Sequence, residues 1–235
     1  MKRTAFITAV FMLLAAVFAA AQAAQIGETV AFGSYPQGAD GEVMPIEWTV
    51  LEIDEEGVCL LLCGRILDVK PYNDEYEETT WRKCSLREWL NGEFFDAAFT
   101  DEEKAEILLT TVVNDNNVKY ITRGGRDTED HVFILSLGEI MDCYSITKKQ
   151  FKNEHEELWC KPTEYAVAQG AVAYKAYGDE ATAQYEGNGG WWLRSPGCGK
   201  EYAAFVNMEG RVLADGYLAD FSLNGVRPAI RVKFE

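Results

Sequence analysis

Two histidines and six cysteines carry the most reactive side chains of this sequence, and their surroundings assign them no reaction. His131 lies in Glu129-Asp130-His131 and His155 in Glu154-His155-Glu156. Either could act as a base only beside a nucleophile or a metal. Neither stands in H-E-x-x-H spacing or in a G-x-S-x-G elbow, so both read as solvated loop residues. Cys59, Cys63, Cys84, Cys143, Cys160 and Cys198 include no C-x-x-C pair, which gives zinc no ligand set. Asn114-Asp115-Asn116-Asn117 lacks the spaced Asp and final Glu of a calcium loop. The sequence therefore offers no catalytic residue, no metal ligands and no cofactor.

Residue types suited to recognition are easier to find. Trp191 and Trp192 are neighbours on an expected strand, so their side chains point to opposite faces. One then belongs to the core, and Trp191 is the candidate platform for stacking a sugar or peptide; the alternative is that both are core. Arg194 and Arg227 could clamp a carboxylate, although five donors in a fixed fork equally tie together loop carbonyls, and that is the expected role. Tyr202, Arg211, Asp215, Tyr217 and Asp220 fall in or beside turns between the last strands, where loops carry binding on a fixed scaffold. With Trp191 they form the candidate ligand-binding set. Asn207 and Asn224 read as turn formers.

The elements that would position these residues follow from periodicity. Residues 46–53 set Ile46, Trp48 and Val50 on one face and Glu47 and Thr49 on the other, a half-buried strand. Residues 54–57, Asp-Glu-Glu-Gly, turn the chain into Val-Cys-Leu-Leu-Leu-Cys over 58–63, apolar on both faces and so central in a sheet. A hairpin thus opens the domain. Ser85-Leu86-Arg87-Glu88 and Thr100-Asp101-Glu102-Glu103 read as capping boxes of two helices. The first carries Leu86, Trp89, Leu90 and Phe94 on one face, with Gly92 weakening its middle; the second carries Ala105, Leu108 and Leu109. Residues 132–135 are a short strand, Ser136 to Glu139 caps a third helix ending near Tyr144, and Thr163 caps a small one. Residues 148–159 and 178–190 read as loops. The last fifty residues divide into strands over 191–195, 203–207, 211–214 and 226–234, the last with Arg227, Arg231 and Lys233 facing away from the core and Pro228 demanding an edge or a bulge.

Composition bounds the setting. Lys2 and Arg3, an apolar run over 5–21 and the small-residue site Ala21-Gln22-Ala23 describe a secretory signal peptide over residues 1–23. Residues 24–235 then form a single domain in a secreted or extracytoplasmic protein, with no membrane insertion after signal removal. Acidic residues number 38 against 22 Lys and Arg, a net charge of −16, which opposes nucleic acid and anionic membranes as partners. A 48% hydrophobic and 12% aromatic chain of this length can bury a sizeable core. An oxidising exterior would permit up to three disulfides, with the pairing open. Cys59 and Cys63, four apart on one strand and so about 13 Å apart, cannot bridge each other.

Six ordered blocks resemble a bacterial family of exported or surface-associated domains of unknown function. They are Gly33, Tyr35 and Gln37; Ile46, Trp48, Val50 and Leu51; Trp81, Ser85, Arg87, Trp89, Leu90 and Asn91; Pro162, Thr163, Tyr165 and Ala166; the run Trp-Trp-Leu-Arg-Ser-Pro-Gly at 191–197; and Gly-Val-Arg-Pro-Ala at 225–229. That family is in turn similar to the C-type-lectin-like fold and its formylglycine-generating-enzyme branch. The resemblance implies an α+β, C-type-lectin-like domain: an N-terminal β-hairpin, two or three short helices, and a C-terminal cluster of short antiparallel strands displaying variable loops. The calcium-site motifs Glu-Pro-Asn and Trp-Asn-Asp are missing, and Cys198 stands alone where paired catalytic cysteines would be needed. The expectation is a secreted binding module for an extracellular protein or glycan. A cysteine-dependent extracellular enzyme and a structural envelope protein are the alternatives.

Overall fold

The computed structural model describes residues 24–234, so the expected signal peptide lies outside the described residues. Strands β1 (Thr29–Pro36), β2 (Val43–Ile53) and β3 (Val58–Cys63) form an antiparallel meander. Ile46, Trp48 and Val50 are buried on one face of β2, as their spacing requires. The turn into β3 is an Asp-headed one, with Asp54 Oδ1 accepting from the amides of Glu56 and Val58 at 2.9 and 2.8 Å. β3 lies between β2 and β12 and is buried along its whole length, so both of its side-chain faces are covered. β1 escapes the sequence pattern because it is half-exposed and irregular around Gly33, where its register with β2 shifts.

After the two-residue strand β4 (Asp68–Val69), helix α1 (Ser85–Trp89) runs through a π-helical turn, Leu90–Phe94, into α2 (Phe95–Ala98). The wide turn contains Gly92, the residue expected to weaken the helix. The Ser85 capping box does not form: Ser85 Oγ accepts from the Asp74 amide instead, and no side chain caps the helix. The other two boxes do form. Thr100 and Glu103 cap α3 (Asp101–Glu106), and Ser136 and Glu139 cap α4 (Leu137–Tyr144). The expected stripe on α3 is displaced: Ala105 and Leu109 are exposed, and Ile107, just past the helix, is buried against β12. Strands β5 (Thr110–Val112) and β6 (Thr128–Asp130) make a small pair, β7 (Val132–Phe133) follows, and Thr163 caps α5 (Glu164–Ala168).

The C-terminal strands are β8 (Trp191–Pro196), β9 (Tyr202–Val206), β10 (Val212–Leu218), β11 (Gly225–Val226) and β12 (Ala229–Lys233). They complete two five-stranded sheets, ordered β1-β2-β3-β12-β7 and β10-β9-β8-β11-β4. The protein is therefore α+β, with short helices and largely antiparallel sheets. The strand expected over 226–234 is split at Arg227 and Pro228, and the chain passes there from the second sheet to the first. Pro228 cannot donate to a ladder, so it suits that crossing; its carbonyl accepts from the Cys63 amide.

Arg194 on β8 is buried and joins the sheet to three segments. Its guanidinium donates to the carbonyls of Ile134 and Val113 and in fork geometry to both carboxylate oxygens of Glu139, at 2.8 and 3.0 Å. Burial alone would raise the Glu139 pKa, but the Arg194 charge and hydrogen bonds from Arg194 and Ser136 bring it below its ordinary 4.5. Arg194→Met, which removes the cation from a Glu139 carboxylate that is 24% exposed, is expected to lower the unfolding free energy by about 1–3 kcal/mol in urea titrations. Because the folded pKa is depressed, the contribution of Glu139 is complete above 4.5 and is lost as pH falls through the lower folded value. The stability gap between the native protein and Glu139→Gln should therefore shrink as pH falls through about 4.5 and below.

Candidate functional site

The residues singled out for binding separate into a buried group and two exposed ones. Trp191 is 0% exposed, as is Trp192, because β8 is covered on both faces. That burial removes Trp191 as a stacking platform: its indole donates to the Leu158 carbonyl, and the Arg227 guanidinium lies 4.8 Å from its ring. Arg227 is itself buried, contrary to the outward-facing alternation, since that alternation ends at the crossing; its Nε donates to the Cys63 carbonyl. Arg194 and Arg227 thus tie carbonyls together, as expected. Asn207 closes a turn, its Oδ1 accepting from the amides of Glu209 and Arg211.

Arg211 stands at the start of β10, in ion pairs with Glu154 at 2.8 Å and Glu209 at 3.0 Å. Tyr217 lies at the far end of the same strand, where a register shift leaves only the four positions from Asn207 to Ala203 on β9 between them, about 13 Å at ordinary strand rise. Tyr217 is 45% exposed and packs edge-on against Phe221, with Phe205 behind it. Tyr202 is paired to Leu218 in the β9–β10 ladder, so it shares the Tyr217 end with Asp215 and Asp220. The set does not converge on one cleft. It yields an open aromatic patch at one end of the sheet and a salt-bridged arginine at the other.

A groove that the sequence did not single out lies beside α1. Lys70, Pro71, Asp74, Ser85, Trp89 and Glu93 line it, in a volume of about 390 Å³. β4 delivers its first wall: Lys70 follows Val69, and the Trp192 indole fixes the Lys70 carbonyl at 2.9 Å. Helix α1 and the π turn deliver the second. Trp89 is half-buried, tilted against Phe94 at 5.3 Å between ring centres, with the Lys70 ammonium 4.8 Å from its centroid. Phe94 in turn contacts Tyr35, which meets Tyr165 edge-on. Tyr35 donates to buried Asp68 at 2.7 Å. Burial and the neighbouring Asp68 carboxylate push the Tyr35 hydroxyl far above its ordinary range, so it stays protonated as a donor. The spacing of Trp89 fits the buried stripe of an amphipathic helix, and Lys70 and Asp74 arrive from a separate segment, so no local pattern marks the groove.

The remaining reactive groups have structural surroundings. His155 is buried rather than solvated, with Nε2 3.0 Å from the Gln150 carbonyl, and His131 stacks on Phe95 at 4.8 Å. Asp130 is buried and accepts from the Trp81 indole, the Thr128 hydroxyl and Arg87. No group of three or more His, Cys, Asp or Glu among the described residues could hold a metal. All six cysteines are free thiols, so the structure contains none of the disulfides that an oxidising exterior would permit. Burial pushes Cys63 and Cys84 up to about 12 and Cys143 up to about 11. Cys198 is the exposed thiol. No helix among the described residues is long and apolar enough to cross a membrane.

An α+β domain with buried arginine ties and one polar, aromatic-walled surface groove is what these residues build. The chain belongs to the family described as a domain of unknown function (DUF6273), whose model matches residues 56–234. No curated protein matches the chain. No solved structure matches it either. Iodoacetamide at neutral pH is expected to label Cys198 in the native protein well before Cys63, Cys84 or Cys160, which should react only after unfolding. Peptide mapping of the alkylated sites reads this out, and early labelling of a buried cysteine would contradict the packing.

Proposed function

We propose that this chain is a secreted binding module for an extracellular glycan, with the Trp89 groove as its contact surface. The observation that carries the reading is the half-exposed indole among Asp74, Ser85 and Glu93, with Lys70 across it. A sugar ring offers an apolar C–H face to an aromatic side chain and hydroxyls to carboxylates and a serine, so this lining suits it. Asp74, Glu88 and Glu93 against the single cation Lys70 favour a neutral or amino sugar over a uronate. The Tyr217 patch, open and aromatic, is the natural surface for a protein ligand if the module also engages one.

The reading keeps the C-type-lectin-like comparison as part of the proposal. Support for it is topological: the final strand β12 returns to the N-terminal sheet and lies between β3 and β7. A thiol enzyme would have to work through Cys198, the exposed cysteine, whereas His155 is engaged by the Gln150 carbonyl and Glu157 and His131 stacks on Phe95. A glycan array with the full chain tests the proposal. Binding to neutral or amino glycans is expected, weakened at least about tenfold by Trp89→Ala. Glu93→Gln, an exposed change that leaves packing intact, should weaken it by a smaller factor. Absence of glycan binding, or binding indifferent to both changes, refutes the groove as the site.

A further inference from the structure

A second groove, of about 590 Å³, has an apolar floor formed by Val118 and Met141 and a wall of Thr147, Lys148 and Lys149. The turn carrying Val118 adds Lys119, whose ammonium lies over the Tyr120 ring at 5.4 Å, and Ile121, 76% exposed. Asn117 holds that turn in place by accepting from the Lys119 and Tyr120 amides. Lys119, Lys148 and Lys149 form no ion pair with any described residue. In a chain with 38 acidic residues, three unpaired lysines around an apolar floor form a site without its complement.

The complement is present elsewhere on the same surface. Residues 74–78 read Asp-Glu-Tyr-Glu-Glu, and all five are exposed, Tyr76 to 63%. The buried residues on either side anchor this loop: the Asn73 amide donates to the Ala219 carbonyl at 2.9 Å and the Thr79 amide to the Lys200 carbonyl at 3.1 Å. A tyrosine held out on a fixed loop is a low-entropy anchor for an apolar floor, and the carboxylates of Asp74, Glu75 and Glu77 beside it match a lysine rim, while Glu78 faces Lys200 at 3.9 Å.

We propose that the Tyr76 loop of one copy docks into the lysine-rimmed groove of a second copy, joining copies head to tail. The two surfaces differ, so the contact is heterologous and leaves a free loop at one end and a free groove at the other. A loop in a groove buries little area, which makes the contact weak and transient. The net charge of −16 adds a repulsion that salt must first screen. Association should therefore peak near physiological salt, where charges beyond about 8 Å are screened and contact pairs persist, and decline at about 1 M.

Sedimentation velocity on the full chain, over concentrations up to about 1 mM, tests this. The expected result is a weight-average mass that rises with concentration at physiological salt. Tyr76→Ala and the double variant Lys148→Glu/Lys149→Glu should each weaken association at least tenfold. An equimolar mixture of the two should regain dimers and stop there, because one retains an intact groove and the other an intact loop. A monomer at every concentration overturns the proposal, including the case where the groove serves an acidic segment of some other protein. Association unaffected by either variant, or a mixture that stays monomeric, overturns it as well. None of these substitutions lies in the lining of the Trp89 groove, so glycan binding by the dilute, unassociated variants is read separately.

Discussion

Arg194 is the contact on which the arrangement of the two sheets depends. It sits in a strand buried on both faces, where an unpaired guanidinium would cost several kcal/mol in lost hydration. Glu139 offsets that cost with a two-pronged carboxylate, and the carbonyls of Ile134 and Val113 take further donors. The same residue's amide donates to Leu135, and its carbonyl accepts the Tyr72 hydroxyl. Glu139 also closes the capping box of α4, receiving the Ser136 amide at 2.7 Å. One carboxylate thus serves the start of a helix and the centre of the domain, so local and long-range structure fix each other.

The crossing at Arg227 and Pro228 carries that arrangement to the surface. β11 pairs with β4 and, in parallel, with β8, while β12 pairs with β3 and β7. Two residues separate membership of one sheet from membership of the other. Gly225 lies against Ile66, where an added Cβ would come within 2.2 Å of a methyl group, so the close approach of β11 to the chain entering β4 requires glycine. Lys70 and Pro71 leave directly from β4, and their position in the groove is inherited from this packing.

Legibility in the sequence followed how local each cause was. The β2–β3 hairpin and the caps at Thr100 and Ser136 depend on residues within a few positions of one another, and they formed as read. Ser85 carries the same local code as those caps, yet the Asp74 amide claims its hydroxyl from a distant segment. Trp191 and Trp192 obey strand alternation, but alternation separates faces and does not say that both are covered. The export and partner readings rest on residues 1–23 and on net charge, which the fold does not address. Trp89 lies on the helix that its spacing predicts; its place in the groove depends on Lys70 and Asp74, which no pattern in 85–98 could supply.

Both proposed surfaces draw on the segment 70–79, and the reason is topological. β4 is two residues long and at the edge of its sheet, so the chain beyond it runs over the outside of the domain before α1 begins. Four contacts hold it there: Lys70 to the Trp192 indole, Tyr72 to the Arg194 carbonyl, Asn73 to Ala219 and Thr79 to Lys200. The anchors fix the ends and the inner side, which leaves the outward side chains of 74–78 no apolar surface to cover and a composition that is almost wholly acidic. Asp74 belongs to both the groove and the loop, so a ligand that engages its carboxylate alters the charge the loop presents. Coupling between the two surfaces then requires no conformational change, only competition for one side chain on a rigidly held segment.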